Sequence, residues 1–217
     1  MSRRCKQQTP MKLLEIQSSV RKENSVSRTL SDEFIQAWQT DRPNIQYKLR
    51  DVGTNPPDHP TGLWAKANYM PPEERSPEML AALAESETLI EELLWADYLL
   101  MGVPMYNLSV PSSLKAYLDN VIRINRTFTF DPATYTFQGL ARGKKALIIT
   151  PSAGNFVVGT PLGKMNFCDT YLLSVLGFIG IDEVSVVPVP DQFMPDEIRQ
   201  QEIATAKAKL MDLARDW

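Results

Sequence analysis

Four serines, Ser18, Ser19, Ser25 and Ser27, bracket a short polar stretch between an apolar run and the first helical pattern of the chain. Hydroxyls beside the free backbone N–H groups of a helix start suit a phosphate monoester. Capping is the alternative use of the same residues, because serine is an ordinary N-cap. A second stretch, Pro104-Met-Tyr-Asn-Leu-Ser109, puts a thioether, an aromatic ring and a carboxamide into one turn. A flat heteroaromatic ligand needs such a surface against its face and amide groups at its polar edge. A tyrosine packed on a neighbouring helix accounts for the pattern equally well. In a third stretch, Ala153-Gly154 removes side-chain bulk, so that backbone could approach a ring closely, or simply turn tightly.

The rest of the chain offers little other chemistry. There is no G-x-G-x-x-G and no G-x-x-x-x-G-K-[ST], so the dinucleotide and Walker-type phosphate fingerprints are missing. His59 is the only histidine, which leaves neither a His-based triad nor a His/Cys metal site. No carboxylate pair stands at a strand end. Chemistry without protein acids, nucleophiles or metals points to a cofactor. A net charge of -3 and a pI near 5.3 argue against a nucleic-acid binder. No apolar run reaches the eighteen or so residues of a membrane span. The start, Met-Ser-Arg-Arg-Cys-Lys, is basic but no apolar segment follows, so residues 1–10 read as a mobile extension and not as a secretory signal. Cys5 and Cys168 are too few to frame a disulfide fold, which suits a reducing cytoplasm. Cys168 reads as a packing residue.

The elements that would position these stretches alternate along a single domain, residues 11–217. Strands are expected at 12–17, around Ile45, Tyr47 and Leu49, at 98–103, at 144–150 and at 184–189. Helices follow each of them. Ser25 leads into one carrying Val26, Leu30, Phe34, Ala37 and Trp38 at helical spacing, which Pro43 ends; Ser76-Pro77-Glu78 opens another, running to about Trp95. Leu114, Tyr117, Leu118, Val121 and Ile122 mark a third, a fourth spans about 163–176, and Pro195 begins the last. Residues 127–130 and 134–137 alternate as a small hairpin. Residues 51–77 hold six prolines together with Trp64 and Tyr69, and read as an ordered excursion. Five strands alternating with five helices imply a doubly wound parallel sheet, an α/β fold with strand order 2-1-3-4-5. Its ligand edge would gather the loops 18–27, 104–110 and 150–159.

With these residues in place, the chain resembles the FMN-dependent NADH:quinone oxidoreductases known as azoreductases, across roughly residues 12–215. The resemblance rests on Pro104-Met-Tyr-Asn107, on Ser113-Leu-Lys-x-Tyr-x-Asp119, on Gly143-Lys-Lys145 and on Leu176-Gly-Phe-Ile-Gly180. It implies a flavodoxin-like homodimer with FMN near the subunit interface. By position, Ser19, Ser25, Val26 and Ser27 would hold the FMN phosphate. Met105, Tyr106, Asn107 and Leu108 would lie along the isoalloxazine, and Pro151, Ser152, Ala153 and Gly154 would meet its pyrimidine edge. This last stretch departs from the family's common Ser-Arg-Gly-Gly and lacks its arginine. Phe130, Phe156 and Phe178 would form a broad apolar substrate slot. The activity implied is ping-pong transfer of hydride from NADH or NADPH through the flavin to a quinone or azo compound. The proline-rich excursion is a candidate lid over the partner's pocket, the alternative being an arm packed on its own subunit. A flavodoxin-like electron carrier without turnover, and a phosphate-ester hydrolase, are the competing readings. The hydrolase lacks the nucleophile and acid it would need at strand ends.

Overall fold

A computed structural model describes residues 10–40, 42 and 44–217. The expected N-terminal extension, apart from Pro10, and the helix-ending Pro43 lie outside the described residues. In chain order the strands are β1 (Met11–Gln17), β2 (Ile45–Asp51), β3 (Tyr98–Gly102), β4 (Phe128–Asp131), β5 (Thr136–Gly139), β6 (Lys145–Pro151) and β7 (Glu183–Val189). The helices are α1 (Val26–Thr40), α2 (Gly62–Tyr69), α3 (Pro77–Trp95), α4 (Ser112–Val121), α5 (Phe167–Phe178) and α6 (Asp196–Asp216). One five-stranded sheet runs β2-β1-β3-β6-β7, all parallel, with β4 and β5 paired as a separate antiparallel hairpin. With the hairpin set aside, this is the expected 2-1-3-4-5 order.

Side chains alternate between two cores because successive residues of a strand face opposite sides. Leu14, Ile16, Leu99 and Met101 pack beneath α3, α4 and α5, while Leu13 and Leu100 pack beneath α1 and α6. Cys168 is buried in the first core, and burial pushes its thiol up to about 12, as befits a packing residue. The second core ends in an aromatic knot, with Trp217 within 5.5 Å of Phe34, Trp38 and Tyr98. Ser76 caps α3 by accepting from the Met79 amide, with Pro77 in the first turn.

Glu15 is the exception in the sheet, a carboxylate on the Leu13 face of β1 that is almost wholly buried. It accepts hydrogen bonds from Tyr47 Oη and, at 2.7 Å, from Gln17 Nε2. Burial pushes its pKa above the ordinary 4.5, outweighing those two hydrogen bonds. A carboxyl raised in this way binds its proton more tightly in the folded chain than in the unfolded one. Its stabilising share is therefore complete below the ordinary value and is lost as pH rises through the raised one. Glu15→Gln should match the parent in urea unfolding near about pH 4 and exceed it near about pH 8. A gap that is absent at both pH values would show that the carboxyl is not strained by burial.

The proline-rich stretch is ordered and contains α2, a helix that the proline count concealed. Thr61 caps it by accepting from the Trp64 amide at 3.2 Å. Trp64, only 9% exposed, packs with Ala67, Met79 and Leu83, and the Arg123 guanidinium lies 5.6 Å over its ring. Trp64 thus anchors the excursion to its own chain and cannot serve as the lid aromatic, whereas Tyr69 is 75% exposed.

Candidate functional site

The carboxyl ends of the strands are stitched into one edge by backbone hydrogen bonds. Ser18 N donates to Gly102 O at 3.0 Å, Val103 N to Ile149 O at 2.9 Å, and Met105 N to Pro151 O at 2.8 Å. Ser152 N reaches Val189 O at 3.1 Å, and Gln192 N and Phe193 N return to Ser152 O and Ala153 O at 3.0 and 3.1 Å. Each loop is therefore held by the next. They close around a cleft of about 160 Å³ at the β1/β3 switch point, where open α/β sheets take their ligands.

One wall of the cleft is polar. Ser19, Ser25 and Ser27 are all buried there, with Ser25 Oγ and Ser27 Oγ 3.3 Å apart at the start of α1. The cleft is also lined by Pro104, Met105, Tyr106, Pro151, Ala153 and Phe193. Of the residues expected at the site, Ser19, Ser25, Val26, Ser27, Met105, Tyr106, Pro151, Ser152 and Ala153 line this one cleft. Asn107 and Leu108 do not. They are the central pair of a two-residue turn whose φ values are 49° and 71°, closed by Tyr106 N to Ser109 O and Ser109 N to Tyr106 O. A leucine in the left-handed region costs about 1 kcal/mol or more, and strain of this kind gathers at functional loops. The turn carries Asn107 into a neighbouring cavity of about 630 Å³, shared with His59, Lys115 and Tyr171, and Tyr106 is the wall common to both.

Gly154 lies just beyond the cleft, where a Cβ would meet only Phe156 and Leu162 at 3.6 and 3.7 Å. Nothing within the chain demands a glycine at that point. Phe156 is therefore beside the edge loops, but Phe130 and Phe178 are not. Phe178 packs on Phe128 and Phe137 at 4.8 and 5.5 Å, and Phe130 on Phe137 at 4.7 Å. That cluster sits at the far end of α5, a helix about 18 Å long, so a single chain does not join the three phenylalanines into a slot.

Five cleft residues were not among those expected to bind: Arg21, Asn24, Pro104, Gln192 and Phe193. Gln192 and Phe193, the latter 82% exposed, come from the loop after β7. The same edge argument that selected the other three loops applies to this one. Arg28 and Asp51 lie behind the serine loop as a two-pronged ion pair, with Nη1–Oδ2 and Nη2–Oδ1 both at 2.8 Å. Burial opposes ionisation of Asp51, but the Arg28 and Thr54 hydrogen bonds prevail and hold its carboxyl below the usual range.

The model of the family described as flavodoxin-like fold matches residues 11–213. Over 205 residues the chain is 40% identical to a protein of Nostoc punctiforme named FMN-dependent NADH:quinone oxidoreductase, covering 94% of this chain and 98% of that one. It belongs to the flavodoxin-like FMN-dependent NADH:quinone oxidoreductase family. Among solved structures, an azoreductase from Bacillus anthracis superposes with a TM-score of 0.86 at 21% identity, over 95% of this chain and 100% of the other. A second Bacillus anthracis structure, an FMN-dependent NADH-azoreductase in complex with FMN, gives 0.81 at 20% identity over 94% and 99%. Within this quinone oxidoreductase family the chain keeps the fold of both. Its Pro-Ser-Ala-Gly segment is accommodated because Pro151 occupies the last position of β6, paired with Val189, where the ladder is ending.

Proposed function

We propose that this protein is an NAD(P)H:quinone oxidoreductase that holds FMN in the cleft and reduces quinones and azo compounds by two-electron, ping-pong transfer. The observation that carries this reading is the pairing within one cleft of buried serine hydroxyls at a helix start with a thioether-and-aromatic wall. That donor set fits a phosphorylated flat ring. FMN held there would supply the redox chemistry, hydride acceptance from a nicotinamide and two-electron reduction of the acceptor.

The chain's own residues bind and orient. Ser19, Ser25 and Ser27 donate to the phosphate, and the first-turn N–H groups of α1 add the positive end of the helix dipole. Met105 and Tyr106 lie along the ring. The loop from Pro151 to Gly154 supplies backbone groups at the pyrimidine edge, where Ser152 Oγ donates to Gly154 O at 2.9 Å and steadies the turn. The strained turn carries Asn107 out of the cleft and into the neighbouring cavity, where it would meet the nicotinamide or acceptor.

Ser25→Ala and Ser27→Ala should each weaken FMN binding by about 1.5–3 kcal/mol, the share of a hydrogen bond to a charged group. Flavin fluorescence titration measures this, and undiminished affinity in both variants would place the phosphate elsewhere.

A homodimer completes the site in this reading. Val158, Leu162, Met165, Phe167, Leu173 and Phe178 are all exposed on α5 and the loop before it, a concentration of exposed apolar side chains that suits an interface. Two copies of α5 packed antiparallel about a two-fold axis would bring Phe130 and Phe178 of one protomer toward Phe156 of its partner. Light scattering should report a dimer at micromolar concentration. A monomer that turns over at full rate would remove the interface from the site.

A further inference from the structure

We propose that Arg28 is a positioning residue, which turns the peptide planes of the 19–22 segment so that their N–H groups face the flavin phosphate. The inference rests on the FMN reading above and concerns a residue behind the cleft, not on its wall.

Arg28 uses nearly all of its donors on this one task. Its Nε donates to Arg21 O at 2.9 Å, its Nη2 to Ser19 O at 2.7 Å, and the guanidinium fork is fixed by Asp51. Asp51 is itself tied to the sheet, since it ends β2 and its Oδ1 also accepts from Thr54 N at 3.1 Å. In a trans peptide the C=O of one residue and the N–H of the next point in opposite directions. With the carbonyls of Ser19 and Arg21 drawn toward Arg28, the amides of Val20 and Lys22 must point away from it. Among the described residues neither amide donates to another protein group.

The strut also controls charge. Asp51 would otherwise repel a phosphate, but the paired guanidinium cancels it. Without Arg28 the two carbonyls lose their donors, and either plane can rotate to present oxygen to the anion. Lysine cannot replace it, because one ammonium does not span two carbonyls and a carboxylate.

The test compares FMN with riboflavin, which has the ring but no phosphate, on purified full-length Arg28→Met and Asp51→Asn by fluorescence titration. Asp51→Asn conserves shape and guards against a failure of Arg28→Met to fold. FMN affinity should fall about 10- to 100-fold in Arg28→Met and less in Asp51→Asn, with riboflavin affinity unchanged within about twofold in both. The visible spectrum of bound FMN should not move. Equal losses for FMN and riboflavin would make Arg28 merely structural and overturn the proposal, as would undiminished FMN affinity. If the parent protein binds neither flavin, the cofactor reading fails first and this inference falls with it.

Discussion

Gly53→Ala should be among the most damaging single-methyl changes in the protein, lowering stability by about 3 kcal/mol, the top of the overpacking range, and weakening FMN binding as well. A Cβ at Gly53 would stand 2.2 Å from Ser19 O, 2.6 Å from Ser19 C and 2.9 Å from Ser18 C. All three are backbone atoms, so no side-chain rotation relieves the overlap. The neighbouring bonds forbid an easy shift. Gly53 N donates to Gln17 O at 3.0 Å, and Ser19 O is held from the other side by Arg28 at 2.7 Å. The added methyl must therefore push on the very peptide that opens the serine loop. Urea unfolding and flavin titration check the two halves together, and a variant equal to the parent in both would mean that the β2–α2 turn is slack.

Arg123→Met should cost about 3 kcal/mol or more without touching the flavin. The guanidinium is 1% exposed, and donates through Nε to Asn68 at 2.9 Å and through Nη1 to Ser86 at 3.0 Å and Glu87 at 2.8 Å. Burial pulls its pKa down while Glu87 works against that. Glu87 is 37% exposed and also pairs with Arg126, so its attraction is screened and counts for little. The loss comes from orphaning Asn68 Oδ1, from removing one of the two bonds at Ser86 Oγ, which still donates to Asn120 O at 2.6 Å, and from the space left under Trp64. Asn68 belongs to α2 and Ser86 to α3, so the substitution loosens the excursion from the helix on which it rests. Limited proteolysis should cut within 54–76 in the variant and leave the parent intact there, with FMN affinity the same in both. An uncut excursion at unchanged stability would show that Trp64 and Met79 suffice as the anchor.

Where period and punctuation agree, the chain was legible. The apolar runs at 98–103 and 144–150 could only be buried strands, and the loops after them had to meet at one edge. Of the twelve cofactor residues that the resemblance then named on those loops, nine line one cleft. It failed where the deciding forces are not local. Six prolines hid α2, because a Thr61 cap and a Trp64 anchor outweigh breakers placed outside the helix itself. Arg28 and Asp51 carry no motif, being 23 residues apart, and only the β1–β2 register brings them behind Ser19. Phe130, Phe156 and Phe178 were placed together by the resemblance, and within one chain the length of α5 keeps Phe130 and Phe178 apart from Phe156.

In the proposed function the edge loops grip a phosphorylated flavin which does the redox work. The most direct test of this is to reconstitute the purified protein with FMN, remove free flavin by gel filtration and follow visible absorbance while NADH and then a quinone are added without oxygen. The protein should leave the column yellow with one FMN per chain, be bleached by NADH and be restored by the quinone. A protein that emerges colourless from the column contradicts the proposed function.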